Sequence, residues 1–401
     1  MVKTTPFHPR LAELNTTQLW SHWAGHLSAT QYDIAGKHEY FGVRQAVGFF
    51  DASPLYKYEI TGRDAERFLG GLLTRDIRTC RPGRAQYTIW CDSDGYVLED
   101  GVVFRHSAND FLLSAAEPNL SFLQNQIGSL EVSVEDVSDQ YAMLAIQGPR
   151  SRAALATLAP EVNQLGYFAH GQSKIAGSEV TISRTGFTGD LGFEVRLPSD
   201  NALPVLDAIM EAGEPHQMRP FGDQALNILR IEAGLPLINV EFSSSRYAFN
   251  EYERFTPDEL GFGWLLKGIE DASRPFTGRR AILNERANQT SRWKTVGISV
   301  NPREYDELFY GAGLIPPKDE PPAAWETMLY DDNDERAGYA TSYTYSPMMQ
   351  THIGIARVRP DLAELGTTIH VEQTVNHVYT SSPATVTAMP FFKPERKTAM
   401  A

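Results

Sequence analysis

Two stretches decide how this chain folds: "YKYEITGRDAERFLGGLL", Tyr56–Leu73, and "YAMLAIQGPRSRAALATLAP", Tyr141–Pro160. Each opens with a run suited to a strand, passes through a glycine (Gly62 or Gly148), and continues with apolar residues at helical spacing. Phe68, Leu69, Leu72 and Leu73 gather on one side of the first helix. Each is followed by a strand–turn–strand. In "AQYTIWCDSDGYVLEDGVVFR" the turn signal is Asp92–Gly95. The second, "SEVTISRTGFTGDLGFEVRLP", closes on "FEVR" where the first closes on "VVFR". We read this as an internal duplication of a β-α-β-β unit. The competing reading is that any α+β protein reuses such units.

Outward from these repeats, "KHEYFGVRQAVGFFDASPLYKYEITG" reads as helix, turn, strand, with Val43, Val47 and Phe50 near helical spacing. Helices are expected at "NALPVLDAIMEAG" and "FGDQALNILRIEAG", each ending near a glycine that suits a C-cap. Residues 235–262 show neither period and form a long loop rich in aromatics, among them Tyr247, Phe249 and Tyr252. Beyond it, short β runs separated by turns predict a small antiparallel barrel or sandwich. "IPPKDEPPAAW" is read as an exposed excursion. The expected fold class is therefore α+β: a first region over 1–140, a second over 141–285 carrying the 235–262 loop, and a C-terminal β-barrel over 286–401.

The chain has 401 residues, 42% of them hydrophobic and 21% charged, which suits a globular protein of two or three packed units. Its net charge of −14 repels phosphate backbones, so no nucleic-acid partner is expected. No apolar run is long enough for a membrane span, and "MVKTTPFHPR" has no signal core, so a cytoplasmic location is the default. Cys80 and Cys91 are too few for a disulfide framework or a thiolate cluster. His22 and His26 would lie one turn apart on a helix, but no third ligand is near, and no metal site is expected. The chain contains no G-x-x-x-x-G-K-[ST], G-x-G-x-x-G or G-x-S-x-G.

What remains is a set of acids inside apolar strands. In "GYVLEDGVVFR", Gly95–Arg105, Glu99 and Asp100 are adjacent and must face opposite sides of a strand. Glu194 lies between Phe193 and Val195. A half-buried carboxylate is costly unless it is paired or hydrogen-bonded. The plain explanation is an ion pair with Arg105, Arg184 or Arg196; the functional one is a working acid in each hairpin.

"SRTGFTGDLGFEV", Ser183–Val195, resembles the S-x-T-G-[YF]-T-G-x-x-G-[FY]-E signature of the aminomethyltransferase family, whose type member is the glycine cleavage T-protein. "GVRQAVGFFDAS", "GYVLEDGVVFR", "LAIQGPRS", "LRIEAGLP", "TPDELGFGWLLK", "PFTGRRAI" and "TSYTYSPMMQTHIGIARV" follow in the family's order, so the resemblance spans nearly the whole chain. It implies three domains around a central opening that holds tetrahydrofolate, the acceptor of a one-carbon unit. It also implies roles. Asp100 matches the family's catalytic carboxylate, with Glu99 in place of an Asp. Glu194 matches the pterin-binding Glu. Tyr87 and Ser114 match positions lining the folate pocket, and Arg230 and Trp264 match further family positions. Core packing competes as the reading of Trp264.

The departures lie where the family holds its donor and the folate tail. "DASPL", Asp51–Leu55, lacks the His and Met of the type member. The entrance motif is barely traceable in "SHWAGHLSATQY", and an Arg–Asp pair is replaced by Leu226 and Asn227. These changes favour a tetrahydrofolate-dependent demethylase or aminomethyltransferase for a small donor, with Tyr247, Phe249 and Tyr252 as a substrate loop. One alternative is the glycine-cleavage enzyme itself, partnered by a lipoyl carrier protein. The other is a non-catalytic folate-binding regulatory protein, whose cysteine motif is missing around Cys80 and Cys91.

Overall fold

The computed structural model describes residues 2–400. Its first sheet has five strands in the lateral order Arg84–Cys91, Val97–Arg105, Asp110–Ala115, Tyr56–Thr61, Ser133–Asp136. The second has six, in the order His170–Ile175, Ser178–Ser183, Gly192–Pro198, Tyr141–Gln147, Gly48–Asp51, Arg219–Pro220. The first four strands of each sheet follow one scheme. A strand ends at a glycine, a helix follows (Ala65–Leu72 or Ser151–Ala156), and three antiparallel strands return to pair with the first.

The glycines explain why strand gives way to helix at the same point. Gly62 and Gly148 adopt φ of +129° and +123°. A Cβ at Gly62 would stand 2.4 Å from Glu131 O, and one at Gly148 would stand 2.5 Å from Val43 O. No other residue fits either place. The sheets meet edge to edge where Arg84 bridges Ala169, just before the strand His170–Ile175, flanked by hydrogen bonds from Ala85 N to Phe168 O and from His170 N to Gly83 O.

Beside Tyr56–Thr61 the fifth place is filled by Ser133–Asp136. Beside Tyr141–Gln147 it is filled by Gly48–Asp51, from before the first repeat. Phe7, Leu11, Tyr32, Val47 and Phe49 accordingly pack with Leu144, Ile146, Phe193 and Leu206. In the other direction, Phe262, Leu265, Ile269 and Ile282 pack on Ile89, Cys91 and Val97 of the first sheet. Packing therefore does not follow the 1–140 and 141–285 division: each stretch lends residues to the other's sheet.

The third unit is a closed antiparallel barrel in the order Lys294–Val300, Thr351–Val358, Arg336–Ser346, Thr327–Tyr330, Thr368–Val375, Val378–Thr387. The helix Asp223–Glu232 joins it to the second sheet, with Ile231 against Ile353 and Ile355. That helix ends as expected, with Gly234 at φ +61°. The helix Ala202–Gly213 instead runs on into a short 3-10 turn, and the left-handed residue is Gln217.

Two local expectations change. The helix Gly36–Gln45 stops before Val47 and Phe50, which belong to the next turn and strand. His22 and His26 lie in a hairpin, Leu19–Trp23 with His26–Gln31, turning on Ala24 and Gly25 at positive φ. His26 pairs with Trp23, the neighbour of His22, so the two imidazoles take opposite faces. Among the described residues no helix is long and apolar enough to cross a membrane.

Candidate functional site

The register separates Glu99 from Asp100. Trp90 pairs with Glu99 and Ile89 with Asp100, while the third strand begins to pair only at Gly101. At Gly101 the strands come so close that a Cβ would lie 2.1 Å from Ser114 O. Glu99 is fully buried. Its carboxyl accepts from Asp100 N at 3.1 Å, Glu117 N at 3.1 Å and Asn119 Nδ2 at 3.3 Å. No cation pairs with it among the described residues, and burial together with the Asp100 charge pushes its pKa well up. Glu99 therefore fixes the 116–119 turn. That turn fixes the long loop in its turn: Asn119 accepts from Arg246 Nη2 at 2.7 Å, and Glu117 accepts from Asn239 Nδ2 at 2.6 Å.

Asp100 is half-buried on the other face and accepts from Tyr87 Oη at 2.8 Å. Burial raises its pKa to about 6 against the pull of that bond, and the charge of Glu241 adds to the rise. Tyr87 lies parallel to Trp264, with ring centroids 6.1 Å apart. Trp264 is 57% exposed, which removes core packing as its reading. Ser114 lies two places from Asp100 across the pair Val102–Ser114 and gives its hydroxyl to Val102 O at 3.3 Å.

Glu194 sits between Ser183 and Ala145 in the second sheet. Its Oε2 accepts from Thr185 Oγ1, which also contacts Ser183 Oγ at 2.6 Å. Burial pushes its pKa up. Oε1 makes no hydrogen bond among the described residues. Residues 389–399, which follow the barrel, brace the turn after Thr185. Arg184 is buried and gives Nη2 to the carbonyls of Arg396, Lys397 and Ala399. Arg396 binds Asp190 through two bonds, of 2.6 and 2.7 Å.

None of the three arginines considered as partners serves these acids. Arg105 pairs with Glu66 at 2.6 Å, Arg184 holds backbone carbonyls, and Arg196 lies against His106 and Thr181. The repeats also do not place the acids alike. Asp100 is on the second lateral strand and Glu194 on the third. Glu194 pairs with Ala145, three residues before Gly148, and Leu112 pairs with Glu59, three before Gly62. The counterpart of Glu194 is thus Leu112.

A cavity of about 320 Å³ opens between the helix Asp223–Glu232, the long loop and the barrel. Gln224, Asn227, Arg230, Asn239 and Ser342 line it, with Pro321–Glu326 as the far wall. The proline-rich excursion is thus half exposed and half cavity lining. Arg230 is buried and gives hydrogen bonds to Glu241 at 2.7 Å and Ser342 at 2.8 Å. Glu241 is the acid that sequence reading missed. It stands between Val240 and Phe242, the same signal that drew attention to Glu194. The long loop reaches the cavity with Asn239 and Val240. Tyr247, Phe249 and Tyr252 do not line it: they stand on the outer surface, Phe249 at 95% exposure, where the loop bulges between its anchors at Ser245 and Phe255.

This architecture defines a class. Residues 11–267 match the family model described as the GCVT N-terminal domain, and residues 312–393 match the glycine cleavage T-protein C-terminal barrel domain. The chain belongs to the aminomethyltransferase family, whose co-substrate is tetrahydrofolate. It is 32% identical over 377 residues to an aminomethyltransferase of Caldanaerobacter subterraneus subsp. tengcongensis, covering 92% of this chain and 91% of that one. It is 31% identical over 367 residues to the aminomethyltransferase of Bacillus subtilis, covering 89% and 91%. The solved glycine cleavage system aminomethyltransferase T from Bartonella henselae shares the fold, with a TM-score of 0.81, 22% identity, and 98% and 99% of the chains covered.

Proposed function

We propose that this protein transfers a methyl or aminomethyl group from a small-molecule donor to tetrahydrofolate, as a demethylase-like enzyme. The observation that carries this is two half-buried carboxylates set into the sheets, Asp100 and Glu194, neither paired with a cation among the described residues. A fold keeps such groups at a cost, and a ligand that supplies N–H donors or positive charge relieves it. Bound tetrahydrofolate supplies the amine nitrogen that accepts the one-carbon unit.

The residues fit that co-substrate. Glu194 offers an oxygen with no protein partner, suited to the N–H edge of a pterin. Asp100, oriented by Tyr87 and poised near pH 6, holds a proton at low pH and stands ionised at neutral pH. As an anion it stabilises positive charge that develops on the carbon in transit, and it takes up a proton released at the acceptor nitrogen. Ser114, Arg230 and Trp264 serve as walls of the folate site, and Asn239 and Val240 are what the long loop brings to the neighbouring cavity. The test is titration of the protein with tetrahydrofolate, followed by a donor screen for methyl- or methylene-tetrahydrofolate. No binding, with Glu194→Gln changing nothing, ends this reading.

A second reading is favoured by the names of the relatives: a glycine-cleavage aminomethyltransferase acting on a lipoyl carrier protein. Against it stands the altered "DASPL" turn, where Lys57 Nζ gives hydrogen bonds to Ser53 O at 2.9 Å and Leu55 O at 2.7 Å. An assay with aminomethylated lipoyl carrier protein decides between them.

A further inference from the structure

Arg75 is a cation without an anion. It is half-buried, and among the described residues no carboxylate forms an ion pair with it. The neighbouring Asp76 is committed elsewhere, to Arg78 at 2.9 Å and Arg274 at 3.6 Å. Arg75 Nη1 gives a hydrogen bond to Tyr87 O at 3.2 Å, and its guanidinium carbon lies 5.5 Å from the centre of the Trp264 ring. Withdrawal from water pushes its pKa down, as expected of a charge that the protein leaves uncompensated. Trp264 keeps more than half its surface open while lying parallel to Tyr87. An exposed indole beside a free guanidinium offers a stacking face and an anion fork together.

We propose that Arg75, Tyr87 and Trp264 form a binding site for an aromatic carboxylate, a flat ring carrying an anionic arm. The ring stacks on Trp264 and the carboxylate takes the guanidinium. Tyr87 connects this site to Asp100: its hydroxyl is on the Asp100 carboxylate and its carbonyl on Arg75. A ligand held here lies one tyrosine away from the acid. Two sources share this chemistry: the aminobenzoyl-glutamate end of tetrahydrofolate, and an aryl acid serving as the one-carbon donor. The first rests on the function proposed above. It would also supply the charge for the folate tail that Leu226 and Asn227 do not.

The full chain is titrated calorimetrically with four probes. These are 4-aminobenzoyl-glutamate, its uncharged analogue 4-aminobenzamide, the aryl acid 4-methoxybenzoate, and a reduced pterin without the tail. Arg75→Gln is expected to weaken a carboxylate-bearing ring about tenfold or more, to leave 4-aminobenzamide and the tailless pterin within about twofold, and to keep the thermal midpoint. Arg75→Lys recovers part of the loss. Loss confined to 4-aminobenzoyl-glutamate identifies the folate tail as the source; loss confined to 4-methoxybenzoate identifies a donor. Both carboxylate probes unchanged in Arg75→Gln, or neither binding the parent protein, overturns the site. Pterin binding that Glu194→Gln abolishes upholds the folate reading independently, so the two ideas fail on different probes.

Discussion

The two sheets share a strand order and a glycine-to-helix turn, yet only one of two equivalent positions is an acid. Glu194 in the second sheet keeps one oxygen without a hydrogen bond among the described residues. Leu112, its counterpart, is buried in the first beside Ala85, Phe104 and Val137. The reverse holds for Asp100, whose strand in the second sheet carries no matching inward acid: Glu179, at the corresponding end, is exposed. The two sheets are similar scaffolds that carry different acids. On the function proposed above, the first sheet carries the acid that exchanges a proton, and the second carries the acid that binds.

That division is open to breakage. Asp100→Asn keeps the shape and removes the anion, so one-carbon transfer should fall about 10²- to 10³-fold while tetrahydrofolate affinity changes only a few-fold. Equal losses in single-turnover rate and binding would make Asp100 a binding residue and end the comparison. Leu112→Glu gives the first sheet the acid of the second, but in a filled core. It should cost about 3 kcal/mol or more of stability in denaturant melts; a fully stable variant would show that the site, not the packing, is shared. Glu194→Gln should weaken tetrahydrofolate binding about 10- to 100-fold by titration, since it swaps a charged acceptor for a neutral one.

Acidity sharpens the same contrast. Asp100 has a folded pKa of about 6, above the ordinary aspartate value of 3.8. Between those values the folded state keeps a proton that the unfolded state releases. The stability it contributes is present below about pH 4, declines as pH rises through about 6, and stays lower above that. Transfer should run the other way, rising through pH 6 as the carboxylate ionises; Asp100→Asn should flatten both profiles. Glu99→Gln is the mildest change. Burial pushes the pKa of the Glu99 carboxyl well up, and its amide replacement keeps the shape and one accepting oxygen, so Glu99→Gln should shift the thermal midpoint less than Glu99→Ala, which strands Asn119 Nδ2 and Glu117 N at about 1–3 kcal/mol.

The repeat was legible because its signals are local: a strand run, a glycine that must be glycine, a helix. The Asp92–Gly95 hairpin was legible for the same reason. The choice of Asp100 over Glu99 came from the family resemblance, because alternation says only that neighbours face apart. What stayed hidden was long-range. Gly48–Asp51 is four residues long, and nothing in "GFFD" says that its partner lies near residue 145. The aromatic loop read as a donor wall because its rings were counted. Its inward contribution is instead Glu241, Asn239 and Val240, placed by the buried Arg230 and by the turn that Glu99 holds.

The brace formed by residues 389–399 bears on the order of synthesis. The turn beside Glu194 has emerged from the ribosome some 200 residues before Arg396 and the carbonyls that Arg184 grips. Gly48–Asp51, in the same sheet, must wait for Tyr141–Gln147. The second sheet is thus begun early and finished late, and its acid is locked only after the barrel has been made. For a cell, that ordering leaves the sheet that holds Glu194 unfinished until the C-terminal residues that brace it have been made.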